Sequence, residues 1–103
     1  MEYEEFESEL GAVAVTKDHV EREDRDSEEW EKIRENFTSD EIVDKAHFSR
    51  IEGIKFRPES IYPHILLKID GGWKRMFFKA EEDAKDCFKL ISYRWKSFKQ
   101  IYE

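Results

Sequence analysis

The stretch that decides the fold runs from residue 65 to residue 78 and reads ILLKIDGGWKRMFF. Its two apolar segments flank Asp70-Gly71-Gly72, a composition typical of a tight β-hairpin turn. With Gly71-Gly72 as the two-residue turn, Lys68 pairs with Arg75. One face of the hairpin then carries the predicted core residues Ile65, Leu67, Ile69, Met76 and Phe78. The opposite face carries Leu66, Lys68, Trp73, Arg75, Phe77 and Lys79.

A long amphipathic helix is predicted directly after the hairpin, from Glu81 to about Ile101. Acidic residues open this helix and Lys96 and Lys99 close it, which suits the helix macrodipole at both ends. Side chains at spacings of three and four form one apolar face: Ala84, Cys87, Phe88, Ile91, Trp95, Phe98 and Tyr102. Burying that face contributes on the order of 10 to 20 kcal/mol before entropy. We therefore expect the helix to cover the apolar side of the sheet.

Further strands are predicted upstream of the hairpin. Residues 10–16 are small and β-branched, as in a strand buried on both sides, and Lys17-Asp18 indicates a turn into a polar strand over 19–23. Residues 47–57 favour another strand, in which Gly53 indicates a bulge or a bend, and Pro58 ends it.

The segment between these strands has helical character. Ser27 is a predicted N-cap for a helix over 28–36, whose apolar stripe is Trp30, Ile33 and Phe37. Thr38 and Glu41 then have the spacing of a capping box. Residues 39–46 fit either a second short helix or a strand through Ile42 and Val43, and the pattern leaves both open.

The composition indicates one folded domain. Of the 103 residues, 42% are charged, but 15% are aromatic, which supplies enough apolar area for a core. The first eight residues include four carboxylates and are expected to be extended or frayed, which leaves residues 9–103 as the domain. Cys87 is the single cysteine, and the sequence shows neither an apolar leader nor a membrane span, so the expected location is the cytoplasm.

The charge is divided along the chain. Residues 1–46 carry 17 acidic against 6 basic residues, whereas residues 47–103 carry 8 acidic against 12 basic ones. A net charge of −7 argues against non-specific nucleic-acid binding, because neutralising phosphates requires a dominant basic surface. A local basic surface in the second half is still expected.

No catalytic or metal-binding signature emerges from the sequence. His19, His47 and His64 have no metal-ligand spacing, and no second cysteine accompanies Cys87. The acidic run 24–28 resembles the start of a calcium loop but has Glu29 where such a loop needs glycine. Neither a nucleophile elbow nor a phosphate-binding glycine loop occurs. We therefore predict a non-enzyme without a metal or cofactor.

The outer hairpin face is the predicted binding surface. Its six residues, Leu66, Lys68, Trp73, Arg75, Phe77 and Lys79, mix basic and aromatic side chains as the centres of protein interfaces do, and would suit an anionic partner. The alternative is that the acidic first half of the chain folds over this face and neutralises it internally.

The order of elements resembles the pleckstrin-homology-like group, especially its short prokaryotic members. The similarity spans about residues 9–102 and rests on the strand and turn at 11–18, the strand near 47–54, the hairpin and the helix opening at Glu82. It implies a bent antiparallel sheet, or partly open barrel, capped by the C-terminal helix, with a helical insertion near 28–46. It also implies a domain that binds lipids, peptides or proteins without catalysis. The basic loop of the lipid-binding members is absent here, so no phosphoinositide site is carried over.

Two functions follow as hypotheses. The first is a non-catalytic domain that binds a protein partner or another copy of itself through the outer hairpin face. The second is a winged-helix-like nucleic-acid-binding domain with its recognition helix at 39–46, which carries three acids against one base and would repel phosphate. A small-molecule site between sheet and helix is a third class.

Overall fold

Seven strands and two α-helices make up the part of the chain that the computed structural model describes, which is residues 4–6, 11–23, 28–58 and 62–102. The strands are β1 Glu4–Phe6, β2 Val13–Val15, β3 His19–Arg22, β4 Lys45–His47, β5 Ile51–Arg57, β6 His64–Ile69 and β7 Gly72–Phe77. The helices are α1 Glu28–Asn36 and α2 Glu81–Tyr102, and short 3₁₀ turns occupy Ser39–Glu41 and Phe48–Arg50. The ends of α1 and α2 agree with the sequence-based prediction to within one residue.

The strands form two open antiparallel sheets. The first sheet has the order β1-β2-β3-β4, and the second has the order β5-β6-β7. Helix α2 contacts β2 of the first sheet and β5 and β6 of the second. The predicted α+β class, with antiparallel sheets and a long C-terminal helix packed on them, is confirmed.

The core lies between α2 and the two sheets. All five hairpin residues predicted for the core are buried in it, together with Ala84, Cys87 and Ile91 of α2. Phe88, Trp95 and Phe98 pack on its edge, and the Trp95 indole N–H donates a hydrogen bond to the Ile51 carbonyl at 3.0 Å. The apolar face predicted for α2 is confirmed for these six residues, whereas the side chain of Tyr102 lies outside the described ones.

The hairpin turn differs from the prediction by one position. Asp70 and Gly71, with φ of 52° and 82°, form the two-residue turn, and Ile69 pairs with Gly72. Two central residues with positive φ are what a type I′ turn requires, and Asp-Gly suits it. The predicted pairing of Lys68 with Arg75 is therefore wrong, because Lys68 faces Trp73 and Arg75 faces Leu66. The pairing moves by two residues, so every side chain keeps its predicted face.

The first sheet contains a strand and a buried charge that the sequence did not reveal. Residues 4–6, predicted to be extended or frayed, form β1 and pair with β2, which would otherwise be the edge strand. Val20 of β3 is fully buried as expected, but Arg22 on the same face is also only 4% exposed. The Arg22 guanidinium lies 5.6 Å from the centre of the Trp30 ring and 5.3 Å from that of Phe78. The predicted N-cap Ser27 lies outside the described residues.

Residues 39–46 adopt neither of the two predicted structures throughout. A single 3₁₀ turn, Ser39–Glu41, is followed by a bridge from Ile42 to Arg75 and then by β4. The capping box forms only in part, because the Glu41 carboxylate accepts from the Thr38 N–H at 3.3 Å and also from the Thr38 hydroxyl. The Thr38 hydroxyl is thus turned away from the Glu41 N–H, which donates to the Thr38 carbonyl.

Candidate functional site

The outer face of the second sheet, where the sequence predicts binding, is divided into a covered part and an open part. Leu66 and Phe77 are only 7% and 1% exposed, so neither is available to a partner. Lys68, Trp73 and Arg75 are half-buried, and Lys79 is exposed just beyond β7. The six predicted residues therefore share one face without forming one accessible surface.

Helix α1 and the residues after it cover the β7 side of this face. Trp30 and Ile33 on the inner side of α1 bury Phe77, and three partly buried residues complete the cluster: Phe37, Ile42 and Tyr62. The Phe37 and Phe77 ring centres are 5.0 Å apart. The apolar stripe predicted for α1 thus packs against the outer hairpin face.

Arg75 is neutralised within the chain. One guanidinium nitrogen lies 3.3 Å from a Glu41 carboxylate oxygen, and the guanidinium carbon lies 5.0 Å from the centre of the Phe37 ring. This is the internal neutralisation predicted as the alternative to partner binding, but it reaches only the β7 side. Arg75 is therefore occupied by the chain's own acidic half.

The remaining part is a basic strip, which we define as Lys55, Arg57, Lys68 and Trp73 and call the open strip. Register places Lys55 and Arg57 on the outer face, because they pair with Leu66 and His64 of β6. Both are exposed, whereas Lys68 and Trp73 are half-buried. Among the described residues, no carboxylate lies within ion-pair distance of Lys55, Arg57 or Lys68. The open strip thus presents three bases, of which Lys55 and Lys68 lie beside the Trp73 ring and Arg57 lies further along β5.

The Trp73 side chain reaches from β7 across β6 and packs over Gly53 of β5. Gly53, Lys68 and Trp73 form one row across the three strands, and a Cβ atom at Gly53 would lie 3.1 Å from the Trp73 ring. The β5 register shifts at this point, which confirms the predicted bulge at Gly53. The Lys55 ammonium lies 4.7 Å from the ring centre, within cation–π range. The indole is therefore a fixed platform with basic groups around it.

His64 lies beneath the covered part and was not assigned a role from the sequence. It is 5% exposed, its ring centre is 5.0 Å from that of Phe77, and its Nδ1 is 3.2 Å from the Tyr62 carbonyl oxygen. In the neutral form Nδ1–H donates this hydrogen bond. Burial, and to a lesser extent the positive charges of Arg75 and Arg57, lower the pKa of His64 below its ordinary value of 6.5. The fold therefore favours the neutral imidazole.

The first prediction concerns stability in weak acid. Because the pKa of His64 is lower in the folded than in the unfolded state, its contribution is complete above pH 6.5 and is lost as the pH falls through the folded-state pKa. In His64→Asn the amide can still donate to the Tyr62 carbonyl but cannot titrate. We expect the free energy of unfolding of this variant to fall less than that of the wild type between about pH 7 and pH 5. If urea titrations at the two pH values gave the same loss of unfolding free energy in both proteins, this account would be contradicted, since His19 and His47 remain in both.

A groove of about 560 Å³ lies at the other end of the molecule, between the β2–β3 turn and the last turns of α2. It is lined by Lys17, Asp18, His47, Tyr93, Arg94, Ser97, Phe98 and Ile101. Tyr93 and Ile101 are 70% and 72% exposed, which is high for large apolar side chains. Sequence analysis missed this groove, although Tyr93, Ser97 and Ile101 recur every fourth residue beside the core stripe of α2.

Polar groups around the groove hold the local structure together. Asp18 accepts from the Thr16 hydroxyl at 3.0 Å and lies 2.9 Å from Nδ1 of His19, and these hydrogen bonds, that of His19 first, lower the pKa of Asp18. His47 Nδ1 accepts the Ser49 N–H at 3.2 Å, which places the proton of neutral His47 on Nε2. Arg94 donates to the Val15 carbonyl at 2.7 Å and so ties α2 to β2.

Several sequence predictions about chemistry can be compared with the described residues. Burial raises the pKa of the Cys87 thiol to about 12, so this cysteine is a protonated core residue. Within the described ranges, no three His, Cys, Asp or Glu side chains converge as metal ligands would. Most of the acidic run 24–28 lies outside those ranges.

No helix in the described part of the chain is both long and apolar enough to cross a membrane. Comparison of the chain with protein-family models, curated proteins and solved structures found no match.

Proposed function

We propose that the protein is a non-catalytic interaction domain that binds an acidic protein surface through the open strip. The observation that carries this proposal is the division of the outer face: the chain's own acidic residues neutralise Arg75 but leave Lys55 and Lys68 beside Trp73, with Arg57 further along β5. Tryptophan and arginine are the residue types enriched at energetically important interface positions, and the open strip holds one of each together with two lysines. The binding surface retains Lys68 and Trp73 from the sequence prediction and gains Lys55 and Arg57.

The fold resemblance supports the same class of function. The pleckstrin-homology-like group implies antiparallel strands with an open end capped by the C-terminal helix, and the packing of α2 on two open antiparallel sheets supports the proposed resemblance. Binding proteins or peptides without catalysis is what that resemblance implies. The cytoplasm is the proposed location, supported by the single cysteine, which is buried as a thiol.

The nucleic-acid-binding alternative loses its main element. It depends on a recognition helix at 39–46, where the chain instead forms one 3₁₀ turn, a bridge and β4. Asp40 and Asp44 are exposed in this segment and would face phosphate. We therefore propose protein binding alone.

The second prediction tests the open strip with a defined probe. The probe is an acetylated hexapeptide containing five glutamates and one phenylalanine, and the control peptide has glutamine in place of every glutamate. We expect the acidic peptide to shift the Trp73 indole signal and the Lys55 and Lys68 amide signals in two-dimensional NMR spectra. Lys55→Glu/Lys68→Glu should weaken binding at least about tenfold, because attraction is replaced by repulsion.

The matched control is Lys85→Glu/Lys89→Glu, which makes the same change of net charge at exposed positions of α2. It should bind the acidic peptide within about twofold of the wild type, since α2 packs on the core face of the sheet and the open strip lies on the opposite face. Equal binding of both peptides, or equal weakening by both variants, would overturn the proposal. So would shifts confined to Tyr93 and Ile101, which would place binding in the groove.

A further inference from the structure

Helix α1 presents to solvent a row of three carboxylates, opposite in charge to the open strip, with the exposed base Lys32 beside the row. Glu28, Glu31 and Glu35 recur at helical spacing on the side opposite Trp30 and Ile33, and all three are exposed. Since Trp30 and Ile33 pack on Phe77, this acidic row points away from the sheet. One molecule therefore carries an acidic row on the helix that covers one part of its outer face, and a basic strip on the other part.

The two sets of charges also match in spacing. The acidic row spans about 10 Å along α1, at ~1.5 Å per residue. Lys68 pairs with Gly53 of β5, so the rows that contain Lys68, Lys55 and Arg57 follow one another along the strands at intervals of about 7 Å and span about 13 Å. The three carboxylates on the outward side of α1 and the three bases on the sheet thus extend over comparable lengths.

We propose that the partner bound by the open strip is helix α1 of a second copy of this chain, in a two-fold symmetric dimer. The inference rests on the proposed function and names its partner. A two-fold axis brings the same surface of each copy together, so the acidic row of each helix meets the strip of the other. Helix α1 of one copy lies beside Trp73 of the other copy, and the indole of Trp73 supplies apolar contact between the charged groups. Both contacts form in the same dimer, so neither copy keeps an unoccupied basic strip to which a third copy could bind.

The test is a pair of charge reversals that repair each other. Lys55→Glu/Lys68→Glu makes the strip acidic, and Glu31→Lys/Glu35→Lys makes the helix row basic. Each variant alone should dissociate at least about tenfold more readily than the wild type, because like charges then meet twice across the axis. Mixed together, they should form a heterodimer with nearly wild-type affinity, since each reversed surface meets its complement. Sedimentation equilibrium at low salt measures all four samples, and Lys85→Glu/Lys89→Glu is the matched control.

The outcomes separate this inference from the proposed function. A wild type that is monomeric at every concentration and salt tested, or a mixture that fails to associate, overturns the dimer. If the acidic peptide still binds the strip in that case, the interaction function stands and the partner is another protein. If the wild type associates but neither reversal weakens it, the dimer uses another surface and the inference is wrong. Unfolding midpoints confirm that each variant is folded. If a reversal variant is not, Lys55→Gln/Lys68→Gln replaces that of the strip and Glu31→Gln/Glu35→Gln that of the helix, and each should still weaken the dimer.

Discussion

Replacing Gly11 with alanine is expected to lower the free energy of unfolding by about 3 to 5 kcal/mol. Gly11 has φ of 101°, a value that costs a residue with a Cβ roughly 1–2 kcal/mol. A Cβ atom at this position would also overlap the backbone carbonyl oxygen of Glu23. That carbonyl cannot move freely, because the Glu23 N–H donates to the Ala12 carbonyl at 2.8 Å. Strain and overlap therefore add, and urea unfolding at neutral pH measures their sum.

Gly71→Ala is the matched control for this prediction. Gly71 also has a positive φ, 82°, but a Cβ atom there would meet nothing within 4 Å. Only the conformational cost remains, and we expect a loss of about 1–2 kcal/mol. Equal losses at the two sites would contradict the close approach of residues 11 and 23.

Trp30→Ala is expected to destabilise the protein by about 3–5 kcal/mol, as loss of a buried tryptophan usually does. Trp30 is 3% exposed, contacts Phe77 and Ile33, and lies beside the guanidinium of Arg22. Its removal would leave a cavity under α1 and expose part of a buried charge. The unfolding free energy from urea titration is the measurement.

Lys32→Ala is the control on the same helix, since Lys32 is exposed. It should change the unfolding free energy by no more than about 0.5 kcal/mol. A loss at Trp30 as small as that at Lys32 would mean that α1 does not cover the outer hairpin face, and the division into covered and open parts would fail with it.

The hairpin shows which properties of the fold the sequence could predict. Alternation fixes the face of each side chain, so Ile65 and Met76 were correctly placed in the core although the predicted turn was displaced. Register depends on turn geometry, and choosing Gly71-Gly72 over Asp70-Gly71 overlooked that aspartate tolerates positive φ. An argument from burial alone therefore cannot detect an error of two residues in the strand register.

The candidate site was less predictable for a physical reason. The stripe of Trp30 and Ile33 predicts that α1 buries one side, but periodicity does not say against which surface. The residue that α1 covers, Phe77, is distant in the sequence, so no local pattern connects the two. Lys55 gave no local signal either, because its place beside Trp73 arises from pairing across three strands. The burial of Arg22 likewise depends on two rings distant in sequence.

The divided outer face is the claim on which both functional proposals depend, and contacts between aromatic protons test it most directly. In nuclear Overhauser spectra we expect the Phe77 ring to show contacts to Trp30 and Ile33, and the Trp73 ring to show contacts to Gly53 and Lys55 but to no residue of α1. Contacts from α1 to Trp73, or the absence of contacts from α1 to Phe77, would contradict the account.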